Sequence, residues 1–181
     1  MRMSRRSNPQ IALKPQDLLV LLKLWVLGDQ RRSFAELASD LGMSASEVHG
    51  SVGRARDARL VHLSEGSHIV SKAALKDFVL HGARYSFPPV YGPATRGIPT
   101  AHAAPPLSDQ SNQSSTELPP VWPTPRGNQR GMGLYPLYPS VPKAIDKDLK
   151  LYQLLALFDA LRGGAARERQ LASRLLEDHF E

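Results

Sequence analysis

A chain of 181 residues can hold one full domain with an appendage, or two small modules. It has no cysteine, which excludes disulfides, thiolate catalysis and cysteine-ligated zinc, and it has no run of about 20 apolar residues able to span a bilayer. The formal net charge of +6 is unevenly placed: residues 1–84 carry 13 Lys/Arg against 8 Asp/Glu, residues 85–142 carry 3 against 2, and residues 143–181 carry 7 against 7. Attraction for a polyanion is therefore expected from the first third of the chain.

Residues 1–10 read as a basic tail. Arg5 and Arg6 ahead of Leu18–Leu22 imitate a secretory signal, but Lys23 interrupts the run and no small-residue cleavage site follows. The chain is expected to be cytoplasmic, with no membrane partner. Residues 11–84 carry a dense set of local signals. Pro15 opens a helix to about Leu27, with Leu18, Leu19, Leu21, Leu22, Trp25 and Val26 as its apolar stripe and Gly28 as its stop. Ser33 with Glu36 and Ser44 with Glu47 both fit the S-x-x-E capping box. Between the two boxes, Phe34, Leu37, Ala38 and Leu41 stand at helical spacing, and Gly42 supplies a left-handed turn. A short helix, a tight turn and a second capped helix from Ser44 to about Ala58 make a helix-turn-helix. Leu60–Leu63 and His68–Val70, joined by Ser64-Glu-Gly-Ser67, predict a hairpin wing. Ser71 then caps a further helix, with Gly82 at its end.

Residues 85–142 change character. Ser86 to Pro142 hold 13 prolines with no helical or alternating pattern, and the polar stretch through Ser108–Thr116 has a linker's composition. Its flanks echo one another: Pro88-Pro-Val-Tyr91 with Arg96-Gly97, and Pro119-Pro-Val-Trp122 with Arg126-Gly127. This segment reads either as a linker or as an extended strap lying in a groove. Residues 143–181 form a helical pair broken at Gly163-Gly164. The first helix is apolar on almost every face from Leu151 to Leu161 and must be buried against the N-terminal domain, a second subunit or another protein. We expect Leu151, Leu154, Leu155, Phe158 and Leu161 at an interface, so that deleting residues 143–181 breaks dimerisation.

Phasing the second capped helix at about 100° per residue puts Val48, Val52 and Ala55 inward. Ser46, Gly50, Gly53, Arg54 and Asp57 then face outward, with His49 and Arg56 at the edge. In a helix-turn-helix the N-terminal half of this helix enters the major groove. The expected DNA contacts are Ser44, Ser46, His49, Gly50, Arg54, Arg56 and Lys72; Ser46 and His49 lie nearest the bases, and Arg54→Ala is expected to weaken binding without harming the fold. Capping is nearly the whole role of Ser44, His49 reads equally as a surface residue, and the lesser alternative for Arg54 and Arg56 is a solvated face. Gly50 and Gly53 weaken the helix by up to about 1 kcal/mol each.

The stretch Leu41-Gly-Met-Ser-Ala-Ser-Glu-Val-His-Gly-Ser-Val-Gly-Arg-Ala-Arg-Asp-Ala-Arg-Leu-Val61 resembles the core of bacterial winged helix-turn-helix regulators, including the MarR type. The resemblance covers about residues 10–82. It implies sequence-specific binding to double-stranded DNA, as a homodimer on a pseudo-palindromic site, by a repressor or autoregulator. Two departures are Glu47, where a small hydroxyl residue is usual, and Arg59 in place of the common glycine before the wing. The wing tip also lacks Arg and Lys. The fold class expected is mainly α: a winged helix-turn-helix, a Pro-rich extended segment and a C-terminal helical pair. The alternative is an adaptor or antitoxin that engages a second protein through residues 85–181. The six histidines show no metal-ligand spacing, and no catalytic or phosphate-loop motif is present, so neither an enzyme nor a cofactor is expected.

Overall fold

The computed structural model describes residues 10, 12–64, 66–110 and 118–180. The basic tail over 1–9, Glu65 of the expected hairpin turn and the polar stretch over 111–117 lie outside the described residues. The fold is mixed α/β, with helix outweighing strand and two small sheets.

The first helix, α1 (Pro15–Leu27), opens on Pro15, and Asp17 accepts the Lys14 backbone N–H at 2.8 Å. Leu18 to Leu22 are each at most 1% exposed, so α1 is buried on every side rather than along a stripe. Both predicted capping boxes form. In α2 (Phe34–Leu41) the Ser33 Oγ accepts from Glu36 N–H at 3.2 Å and the Glu36 carboxylate accepts from Ser33 N–H at 2.8 Å. Ser44 and Glu47 repeat both distances at the head of α3 (Ala45–Asp57). Between them Gly42 takes the left-handed conformation, φ +64°.

Two backbone bonds close the end of α3, from Leu60 N–H to the Ala55 carbonyl and from Arg59 N–H to the Arg56 carbonyl, both 2.9 Å. This is a Schellman closure, and its pivot is Arg59 at φ 62°, where glycine is usual. The hairpin follows: β1 (Val61–Ser64) runs antiparallel to β2 (Ser67–Val70), pairing Val61 with Val70 and Ser64 with Ser67. The next helix does not stop at Gly82. After α4 (Lys72–Asp77) it widens into a π-helical turn over Phe78–Ala83 and ends as α5 (Arg84–Ser86). Val79, Leu80, Ala83 and Phe87 are all buried, which gives the chain reason to stay helical past the glycine.

The Pro-rich segment is a small closed barrel rather than a linker or a strap. β3 (Tyr91–Pro99) is antiparallel to both β4 (Pro120–Pro123) and β5 (Gln129–Leu134), and β4 is parallel to β5. The two sequence echoes form two of its sides, and their glycines meet. A Cβ on Gly127 would fall 2.0 Å from the Gly97 carbonyl carbon, and one on Gly97 would fall 2.2 Å from the Trp122 carbonyl oxygen. Three strands can approach this closely only where side chains are missing.

After α6 (Val141–Ala144), α7 (Leu149–Gly163) packs on α1 and on α8 (Ala166–His179). The expectation for Leu151, Leu154, Leu155, Phe158 and Leu161 is corrected here. All five are between 0 and 3% exposed within a single chain, in the same core as Leu18–Leu22. Their apolar composition demands cover, and α8, the turn over Ala101–Ala103 and α1 supply it within one chain.

Two polar knots fix how these parts sit together. Lys23 of α1, 7% exposed, reaches Asp148 at 2.9 Å and Asp40 of α2 at 3.2 Å. Asp148 also caps α7 by accepting from Leu151 N–H at 2.9 Å. Asp159 of α7, 1% exposed, accepts from Trp122 Nε1 at 2.6 Å, Thr100 Oγ1 at 2.7 Å and Arg162 Nε at 2.8 Å. Burial pushes its carboxyl above the usual range, against the pull of Arg162 and of the Thr100 and Trp122 bonds. Trp122→Phe keeps most of the ring volume and deletes one of these donors. A loss of about 1–3 kcal/mol is expected in urea unfolding, whereas an unchanged midpoint would show that Asp159 does not need the indole.

Candidate nucleic-acid interface

The third helix meets the protein body through Val48, Ser51, Val52 and Ala55, all at most 2% exposed. On its other side Ser44, Ser46, His49 and Arg56 are exposed, and Gly50 and Gly53 are half-buried. A Cβ on Gly53 would meet nothing within 4 Å, so no internal packing explains that glycine. The His49 ring stands edge-on to Phe34 at 5.3 Å between centroids, and Phe34 stacks in turn on His68 of the hairpin at 5.4 Å. Helix α3 and the hairpin are thereby fixed relative to one another through the first residue of α2.

Arg54 is not an available contact residue. Its guanidinium grips Asp17 with two bonds, Nε to Oδ2 at 2.8 Å and Nη2 to Oδ1 at 2.6 Å, and Nη2 also reaches Ser51 Oγ at 3.3 Å. The Asp17 side chain is fully buried and that of Arg54 is 22% exposed. The pair raises the Arg54 pKa, through its bonds to Asp17 against the opposing effect of burial. Gly50 is part of this arrangement. A Cβ there would fall 3.3 Å from Arg54 Nη1, so the missing side chain leaves room for the guanidinium to fold back across the helix. Lys72 is also placed elsewhere: its ammonium sits 5.3 Å over the Trp25 ring, which packs on Phe180 beyond the end of α8. Of the expected contacts, the structure gathers Ser44, Ser46, His49 and Arg56 on one exposed side of α3, with Gly50 beneath them.

Three neighbours of α3 went unrecognised as such in the sequence. The Tyr138 hydroxyl donates to Glu47 Oε1 at 2.7 Å. With the Ser44 backbone bond, the largest effect, and the Ser44 hydroxyl, this holds the Glu47 carboxyl down at about 2. The Lys143 stem crosses the α2–α3 turn so closely that a Cβ on Gly42 would fall 2.8 Å from its Cδ. Arg59 is exposed at the opposite end of α3, in the conformation glycine would adopt more easily. A pair separated by 91 residues, such as Glu47 and Tyr138, leaves no periodic signal; only Arg59 was marked, by its departure from glycine.

At the hairpin, Leu63 and Ile69 are exposed and His68 turns inward on Phe34. A cleft of about 440 Å³ opens between the hairpin and the α1–α2 connection, with Arg31 and Arg32 on its rim. Burial first, then the charges of Arg56 and His49, push the His68 imidazole below its usual range. No protein-family model, curated protein or solved structure matches this chain. Among the described residues no helix is long and apolar enough to cross a membrane.

Two measurements check this geometry. Arg54→Ala strands the buried Asp17 carboxylate and is expected to cost about 3 kcal/mol in chemical denaturation; an intact midpoint would restore Arg54 to the exposed side. For His68, a folded pKa below the unfolded value favours the neutral ring. Its stabilising contribution is present above pH 6.5 and is lost as pH falls through the depressed folded value. The thermal midpoint of His68→Gln should therefore fall less than that of the wild type on acidification below pH 6.5. His179, shifted the same way by burial, titrates in both proteins and cancels in the comparison.

Proposed function

We propose that this chain is a sequence-specific DNA-binding regulator of the winged helix-turn-helix class, with α3 as its recognition helix and β1–β2 as its wing. The observation that carries this reading is the exposed side of α3. It is short-chained at Ser44, Ser46 and Gly53, bordered by Arg56, Asp57 and a His49 that also packs on Phe34, with the buried Val48, Ser51, Val52 and Ala55 on the opposite side. A helix so trimmed brings its backbone close to base edges, which suits entry into the major groove. The +5 excess of residues 1–84 points the same way. Ser46 and His49 read bases, while Arg56 and Arg59 hold phosphates.

Arg59 supplies an independent argument. A left-handed arginine is held at a cost of about 1 kcal/mol relative to glycine. Among the described residues no ion pair or hydrogen bond of its side chain repays that cost inside the fold. Strain of this kind points to a use outside the fold.

As the resemblance to MarR-type regulators implies, the protein acts as a homodimeric repressor or autoregulator, but its two-fold contact lies outside the core residues of α7. A second reading, a protein-binding adaptor, is favoured by Val90, Tyr91 and Tyr135, exposed side chains on and beside the barrel. Selection from a random-sequence duplex library separates the readings: the regulator enriches a two-fold motif, and failure to enrich any sequence overturns it. Arg59→Gly is expected to act in opposite directions on two readouts, raising stability by about 1 kcal/mol while weakening DNA binding. His49→Ala should relax base preference at one position of the motif, leaving the salt slope unchanged.

A further inference from the structure

Arg96 of β3 and Arg130 of β5 are directly opposed in the antiparallel register. Their side chains leave the barrel on the same face, and both are exposed. Together with Asn128, Thr95 and Ala94 they line one open cleft that contains no acidic residue. Among the described residues neither guanidinium forms an ion pair or a hydrogen bond. Like charges directly across a strand pair oppose strand pairing, and among the described residues no carboxylate offsets them. Two guanidinium forks beside an amide make a suitable seat for a phosphate, which arginine binds through paired N–H donors.

A run of contacts joins this cleft to α3. Thr124 N–H donates to the Arg96 carbonyl at 3.2 Å, so the β4–β5 turn folds back beside the arginine pair. From that turn Arg126 reaches Asp146 at 2.6 Å, two residues past α6. Lys143 of α6 lies over Gly42, and Tyr138 just before α6 is bonded to Glu47 at the head of α3. The carboxylates along the way are already answered: Asp146 by Arg126, Asp148 and Asp40 by Lys23. Among the described residues Lys143, Arg96 and Arg130 are left without a carboxylate partner.

We propose that the Arg96–Arg130 cleft binds phosphodiester groups of duplex DNA flanking the stretch read by α3, with Lys143 contacting the backbone between them. The inference rests on the DNA-binding reading of α3. It makes the barrel a second arm on the DNA rather than a spacer.

The test is the salt dependence of binding to a mixed-sequence duplex of about 30 base pairs, close to three helical turns. Backbone contacts do not depend on base sequence, so the probe needs no known operator. Arg96→Gln/Arg130→Gln should lower the slope of log K against log salt by about 2 while leaving the thermal midpoint unchanged or slightly raised. Arg96→Lys/Arg130→Lys should keep the wild-type slope, which separates lost charge from lost fold. Arg56→Ala should lower the slope by about 1 through α3 alone. If Arg56→Ala lowers the slope and the double glutamine variant does not, the cleft proposal is overturned and the reading of α3 stands. If the wild type shows no salt-dependent duplex binding, both fall. A difference in slope between the wild type and the double glutamine variant that appears on single-stranded DNA and not on duplex would also overturn the assignment to duplex.

Discussion

Leu18–Leu22 of α1 and Leu154–Leu161 of α7 are buried around the whole circumference of their helices. In water such helices persist only when covered on every side. Each gives the other part of that cover; the rest comes to α1 from α3 and to α7 from α8 and the turn over Ala101–Ala103. Helices α2 and α3 with the hairpin close one flank of α1, while α8 closes the outer side of α7. The requirement for mutual cover turns a chain that reads as separate modules into one core, in which Leu19 and Val52 belong to the same cluster as Leu155 and Phe158.

Burial sets which surfaces meet but not their orientation, and the polar knots supply that. Apolar contact is non-directional, whereas a buried carboxylate must find donors at defined positions. Among the described residues Asp159 accepts from Trp122 of β4, from Thr100 after β3 and from Arg162 one turn along its own helix. Arg162 also reaches the Tyr135 carbonyl at 3.0 Å, just past β5. One acidic side chain on α7 and its arginine neighbour thus hold all three sides of the barrel. Asp17 does the same for the N-terminal half, joining the start of α1 to α3 through Arg54.

These knots mark the boundary of what the sequence could disclose. Capping boxes, the Gly42 turn, the hairpin and the break at Gly163-Gly164 are local, written within a few residues of where they act, and they were legible. The repetition of Pro-Pro-Val-aromatic followed by Arg-Gly was legible too, but its consequence was not. Strands this rich in proline and glycine lack the alternation that announces a sheet, and the meeting of Gly97 with Gly127 spans 30 residues. The pairing of Arg54 with Asp17 spans 37 residues. Helical phasing correctly placed Arg54 away from Val48 and Val52, but phase fixes where a side chain leaves the helix, not where a long one ends. For the leucines of α7, composition required burial and was silent about which chain would provide it.

The same reasoning revises the two glycines of α3. In the sequence both have the same reading, a missing side chain that lets the backbone approach DNA or another helix closely. Gly50 instead has an internal role, leaving the space through which Arg54 folds back to Asp17, so its cost in helix propensity is offset inside the fold. Among the described residues a Cβ on Gly53 would meet nothing within 4 Å, and no contact there offsets its cost. Arg59, six residues on, is the left-handed pivot of the Schellman closure, where arginine costs more than glycine and its side chain finds no partner among the described residues. Two positions six residues apart, on the exposed side of one helix and just past its end, whose residue types cost stability with no side-chain return among the described residues are better evidence for an external contact than Arg54.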